Sequence, residues 1–85
     1  MHPTTARFRK LFGSLEPEVQ QRARDSFQLL RTNERHRSLH FKAVGRFWSV
    51  RVTDAIRALA VKEGNDYVWV WIGTHDEYNR LIGQN

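Results

Sequence analysis

Cysteine is absent from this 85-residue chain, which excludes a disulfide framework and a thiolate metal site and agrees with a reducing cytosol. The N-terminal stretch MHPTTARFRKLF has no apolar run of the kind a signal peptide needs. Nowhere does an apolar run approach membrane-spanning length. Repeats and low-complexity tracts are missing too. There is no Walker loop, no dinucleotide fingerprint, no zinc spacing and no serine nucleophile elbow. The four histidines lack metal-ligand spacing; His36 and His40 are four apart but fall on a loop-to-strand junction. These absences predict one domain spanning residues 1–85, cytoplasmic, without membrane attachment, metal or cofactor.

What the chain does have is positive charge in one place. Lysine and arginine total 14 against 9 acidic residues, a net charge of +5. Between Arg31 and Arg57 lie Arg31, Arg35, Arg37, Lys42, Arg46, Arg51 and Arg57, opposed only by Glu34 and Asp54. That window alone accounts for the net charge of the whole molecule. A concentrated basic region is the electrostatic footprint of a polyanionic partner, nucleic acid or acidic protein.

Taken in order, Thr4 or Thr5 can cap a first helix with Phe8, Leu11 and Phe12 on one face. Gly13 is expected to stop it with positive φ. Pro17 at a first helical position opens a second helix, Pro17 to Arg31, with an apolar stripe of Val19, Ala23, Phe27 and Leu30. Asn33 is expected to end it in the left-handed region. The segment TNERHRS is a loop. Four strands then follow: Leu39–Val44, Phe47–Thr53, Ile56–Val61 and Tyr67–Ile72. A final helix runs over Asp76–Ile82. Short connections favour an antiparallel meander. The expected architecture is α+β, two N-terminal helices packed on one face of a four-stranded antiparallel sheet, with a short C-terminal helix.

Period two sorts the strand residues. If the helices cover Leu39, Phe41, Trp48, Val50 and Val52, the other face gathers Lys42, Ser49, Arg51 and Arg57. Tyr67, Trp69 and Trp71 are expected to share one face of the last strand, leaving one tryptophan open to solvent. His75 follows that strand, and Tyr78 sits on its helix face three residues on. Such a set suits phosphodiester chemistry. Arginine clamps phosphate oxygens bidentately, histidine moves a proton near neutral pH, and tyrosine stacks on a base or orients a neighbour. Arg57 inside an apolar strand is costly unless it is paired, with Asp54, Asp66 or Asp76, or left for a ligand.

The run Leu39-His40-Phe41-Lys42, then Ser49-Val50-Arg51-Val52, Ile56-Arg57-Ala58-Leu59-Ala60 and Trp71-Ile72-Gly73-Thr74-His75-Asp76-Glu77-Tyr78 resembles the RelE/ParE superfamily of bacterial toxins. The similarity covers about Leu15 to Leu81. Its specific parts are the Arg51-to-Arg57 spacing and the terminal G-x-H-x-x-Y. The resemblance implies a toxin of a type II toxin–antitoxin module, countered by a cognate acidic antitoxin. RelE-like members cut mRNA, typically on the ribosome, by attack of a 2′-hydroxyl on the adjacent phosphate, with no metal or cofactor. ParE-like members instead poison DNA gyrase without such chemistry; a further alternative is an inactive homologue that only binds antitoxin. Carried over by position, Arg57, His75 and Tyr78 would be catalytic and Arg51 would bind RNA phosphate; Lys42, from the same outward strand set, and Arg46, from the basic window, are further RNA-binding candidates. Three departures stand out. The chain opens on a helix where many members open on a strand, Ser49 occupies a position where some nucleases carry lysine, and Asp76 and Glu77 flank His75.

Overall fold

The computed structural model describes residues 3–83. Helix α1 covers Ala6–Gly13 and α2 covers Pro17–Thr32. A 3-10 turn at Arg37–Leu39 leads to β1 (Lys42–Val44), β2 (Phe47–Arg51), β3 (Ile56–Glu63) and β4 (Asp66–Thr74), and α3 spans His75–Gly83. The sheet has the order β1-β2-β3-β4 with every neighbouring pair antiparallel. The two-helix, four-strand, short-helix architecture expected from the pattern is the one observed. Among the described residues no helix is long and apolar enough to cross a membrane.

Local chemistry explains the elements. Thr5 caps α1, its hydroxyl accepting from the Phe8 amide at 3.1 Å. Pro17 opens α2, and Glu18 lies in its first turn, where the helix dipole favours a carboxylate. The link between the helices is held by Gln20, whose side-chain amide donates to the carbonyls of Phe12 at 3.0 Å and Leu15 at 3.1 Å. Gly45 and Gly64 take φ of 59° and 61° in the β1–β2 and β3–β4 turns, a region open to glycine without steric cost.

Several boundaries differ from expectation for identifiable reasons. Gly13 stays inside the last turn of α1, which ends instead at Ser14, whose hydroxyl donates to the Leu11 carbonyl at 2.7 Å. Asn33 ends α2 with φ of −156°, so it is not a left-handed cap. Strand β1 begins only at Lys42, because the His36 ring accepts from the Ser38 amide and folds Arg37–Leu39 into a 3-10 turn. His40 follows at φ 47°. Strand β2 stops at Arg51, because the Thr53 hydroxyl accepts from the amides of Ala55 and Ile56, each at 3.1 Å, and closes a tight turn.

The N-terminus also differs. The Trp69 amide donates to the Pro3 carbonyl at 2.9 Å, and the Thr5 amide donates to the Trp69 carbonyl at 3.0 Å. Residues 3–5 thereby add a short parallel bridge, Thr4 to Trp69, on the outer edge of β4. The opening strand that the helix-first reading omits exists as this stub.

The core lies between the helices and the sheet. Phe8, Ala23 and Leu30 of the helices meet Leu39, Val50, Val52, Ile56, Ala58, Ala60, Trp69 and Ile72. Across the sheet a smaller cluster joins Leu59, Trp71 and Tyr78 beneath α3. The two tryptophans of β4 are therefore on opposite faces. Leu59 pairs with Trp71 but Ala60 pairs with Trp69, so Val70 is one residue too many and reverses the alternation. Trp69 is 1% exposed and Trp71 6%, and neither offers a stacking platform.

Candidate nucleic-acid interface

Register builds the site. On the face away from α1 and α2, Arg51 of β2 is the direct cross-strand partner of Arg57 of β3, which in turn faces Gly73 of β4. The adjacent row holds Lys42, Ser49, Leu59 and Trp71. Lys42 is exposed on the edge strand, diagonal to Arg51. Like charges placed directly opposite destabilise a sheet, so the Arg51–Arg57 pair requires compensation.

The turn after β2 supplies it. Arg57 Nη1 donates to the backbone carbonyls of Thr53, Asp54 (3.3 Å) and Ile56 (3.2 Å). Arg51 Nη2 meets the Asp54 carboxylate at 2.7 Å. Asp54 thus pairs with Arg51, and the cation in the central strand is held by main-chain oxygens. Among the described residues, Nη2 and Nε of Arg57 have no protein partner. Burial lowers the pKa of Arg57, and the charge of Arg51 lowers it further, while Tyr78 and Asp54 act the other way. The group remains a cation, since arginine is not deprotonated in proteins. It is a half-buried cation with a like charge beside it, which an anionic ligand would relieve.

The same turn places His75. Its amide donates to the Ala55 carbonyl at 2.8 Å, so α3 starts directly beside the loop that grips Arg57. The start of α3 is a capping box. The Glu77 amide donates to the Thr74 hydroxyl at 3.2 Å, and Glu77 Oε1 accepts from the Thr74 amide and hydroxyl at 3.1 and 3.0 Å. Those bonds from Thr74 hold the Glu77 carboxyl below its ordinary pKa. Glu77, which the sequence placed beside His75 as unwanted negative charge, is turned back to cap the helix.

The His75 and Tyr78 rings stack at 6.0 Å with 26° between planes, and Nδ1 of His75 lies 3.4 Å from the Asn79 side-chain amide. Tyr78 is 6% exposed, packed with Leu59 and Trp71. It backs the histidine and offers no open face to a base. Asn79, a partner of His75, carries no motif signal; only the i, i+4 spacing on a helix points to it.

The structure brings together Arg51, Arg57, His75 and Tyr78, with Lys42 one step away. It does not bring Arg46. That residue is exposed at the β1–β2 turn, its guanidinium 5.0 Å from the Phe47 ring centre. Five strand residues, about 17 Å, separate it from Arg51. Sequence reasoning also missed Arg22, which with Arg51, Ser26, Ser38 and Thr53 lines a polar groove of about 200 Å³ that also contains Asp25. Arg22 lies on α2, and no spacing rule connects it to a strand. Among the described residues no group of three or more His, Asp or Glu side chains is arranged to hold a metal ion.

The structure is similar to the Methanococcus jannaschii RelB–RelE antitoxin–toxin complex, with TM-score 0.72 and 10% identity over 93% of this chain and 96% of that one. It is also similar to a copper-bound mutant toxin of Helicobacter pylori, with TM-score 0.66 and 14% identity over 88% and 93% of the two chains. A conserved hypothetical protein of the same organism aligns with TM-score 0.55 and 13% identity, covering 87% and 92%. At these identities the likeness is one of fold. No curated protein matches the sequence. A family profile described as the ParE-like toxin domain matches residues 17–80. The chain therefore belongs to the ParE-like toxin domain family and is a toxin of the RelE/ParE superfamily.

Proposed function

We propose that this toxin is a metal-independent endoribonuclease that cleaves mRNA and so inhibits translation, and that an acidic antitoxin neutralises it. The observation that carries the proposal is the cross-strand pair Arg51–Arg57 beside the His75–Tyr78 stack. Arg57 keeps Nη2 and Nε unpartnered among the described residues, available to phosphate oxygens, with Arg51 beside it. Neutral His75 takes the proton of a ribose 2′-hydroxyl. The 2′ oxygen attacks the adjacent phosphorus, the bond to the 5′ oxygen breaks, and that oxygen takes up a proton. Arg57 bears on the phosphate oxygens where negative charge grows. Arg51 and Lys42 hold the flanking backbone, and Tyr78 fixes the imidazole from behind.

The test is RNA cleavage with and without ribosomes, comparing wild type with Arg57→Ala and His75→Ala. Cleavage by wild type and its loss in both variants is the expected result. Equal cleavage by His75→Ala would reassign the base. A second reading, gyrase binding without chemistry, is favoured by the ParE-like family match. It takes over if wild type cuts no RNA in either setting yet still arrests growth.

A further inference from the structure

Strand β1 pairs with β2 from Val44–Phe47 to Lys42–Ser49, so β1 leaves the edge of β2 uncovered at Val50 and Arg51. Around that edge runs the polar groove of about 200 Å³. Arg22, Asp25 and Ser26 of α2 line one side, and Ser38, Arg51 and Thr53 line the other. The groove shares Arg51 with the cation pair. It also shares the turn, since the Thr53 carbonyl accepts from Arg57 Nη1. Small-molecule sites enclose about 300–1,000 Å³. This smaller groove suits one group of a longer ligand whose remainder lies elsewhere.

Three donors at the groove lack an acceptor. Arg22 is exposed and has no hydrogen-bond or ion-pair partner among the described residues, although Glu18 and Asp25 lie about one turn away on α2. Asp25 accepts instead from the Gln21 side-chain amide at 2.9 Å. The Thr53 hydroxyl accepts from the amides of Ala55 and Ile56, and its own proton has no acceptor among the described residues. The same holds for the Ser26 hydroxyl. Only Ser38 is engaged, its hydroxyl 2.9 Å from His36 Nδ1. A guanidinium and two hydroxyl protons at one groove match an anion with several acceptor oxygens. Arginine, serine and threonine are the side chains that meet phosphate oxygens along a nucleic-acid backbone.

We propose that Arg22, with the hydroxyls of Ser26 and Thr53, binds the phosphate next along the RNA strand from the one beside Arg51 and Arg57. The strand then turns round the open end of β2 and onto α2. This rests on the ribonuclease reading above and adds a second phosphate subsite to it. Asp25 sits in the same groove as a fixed negative charge that opposes the phosphate, so its removal and the removal of Arg22 act in opposite directions.

The experiment titrates the full chain with a short single-stranded RNA, 2′-O-methylated throughout so that it binds without being cut, across a salt series. Arg22→Ala keeps a good helix former in α2. It is expected to weaken binding on the order of tenfold and to lower the salt slope by about 0.7, one phosphate contact on a single strand. Arg22→Lys keeps the charge and should keep the slope. Asp25→Asn retains the oxygen that accepts from Gln21, loses the charge, and should tighten binding. On cleavable RNA the loss in Arg22→Ala should fall on KM and not on kcat, because the contact is the same in ground and transition states. An unchanged salt slope in Arg22→Ala, or weaker binding by Asp25→Asn, overturns the subsite while RNA cleavage by wild type leaves the ribonuclease reading intact. If wild type neither binds the methylated strand nor cuts RNA, the ribonuclease reading fails and takes the subsite with it.

Discussion

Arg57 shows what a single side chain can be asked to do. One arm of its guanidinium is committed to the turn carbonyls, and Nη2 and Nε have no partner among the described residues. Lysine has one ammonium and cannot hold a turn and a phosphate in fixed geometry at once. Arg57→Ala should lower the cleavage rate by about 10²–10³, and Arg57→Lys should fall nearer to alanine than to wild type, read as single-turnover rates on one RNA. A fully active lysine variant would mean that charge alone suffices and that the fork is idle. Tyr78 is a contrasting residue, buried with Leu59 and Trp71. Tyr78→Ala should cost about 3 kcal/mol of stability, seen as a lower Tm, whereas Tyr78→Phe keeps the packing and the stack on His75. Arg57 stood out in the sequence as a candidate site residue because an arginine in an apolar strand is unusual. Its anchoring was not legible, because backbone carbonyls leave no trace in composition.

At the scale of elements, α3 is the part most exposed to perturbation. It follows β4 without a linker, is fixed at its start by the Thr74–Glu77 capping box, and lies close to Gly73. A β-carbon on Gly73 would come within 2.6 Å of the Trp71 ring and 3.0 Å of Glu77 Oε1. Gly73→Ala should therefore displace the Trp71 ring and cost about 1–3 kcal/mol, with a change in tryptophan fluorescence. Glu77 adds a pH dependence. Its folded pKa lies below the ordinary 4.5, so its contribution is fully present above that value and is lost as pH falls through the folded value. The stability difference between wild type and Glu77→Gln should be flat above pH 4.5 and close on acidification, measured as paired melting temperatures. A gap that persists in acid would remove the capping role. Helices and strands were legible here because stripe and alternation are long-range repeats. The extra residue at Val70 was not, because Trp69 and Trp71 are apolar on either face and period two cannot see a single insertion. The stub at residues 3–5 was too short to show any period.

Across the whole molecule the positive charge behind the net +5 is divided among separate places. The clustering of cations between Arg31 and Arg57 was plain from the sequence, but its division was not, since it depends on which strand ends meet. Arg51 and Arg57 are register partners, while Arg46 lies at the far end of β2. For RNA this division predicts a dependence on length. A dinucleotide reaches the Arg51–Arg57 pair and His75 but not Arg46, some 17 Å away along the strand. Lys42→Ala and Arg51→Ala should each weaken RNA binding and reduce the salt slope by about one. Arg46→Ala should leave dinucleotide binding unchanged and weaken only the binding of longer RNA that tracks along the sheet. The measurement is binding of a dinucleotide and of a longer single strand across a salt series for the three variants. Equal loss of dinucleotide binding in Arg46→Ala would place that arginine back within the site and contradict the register on which the interface is built.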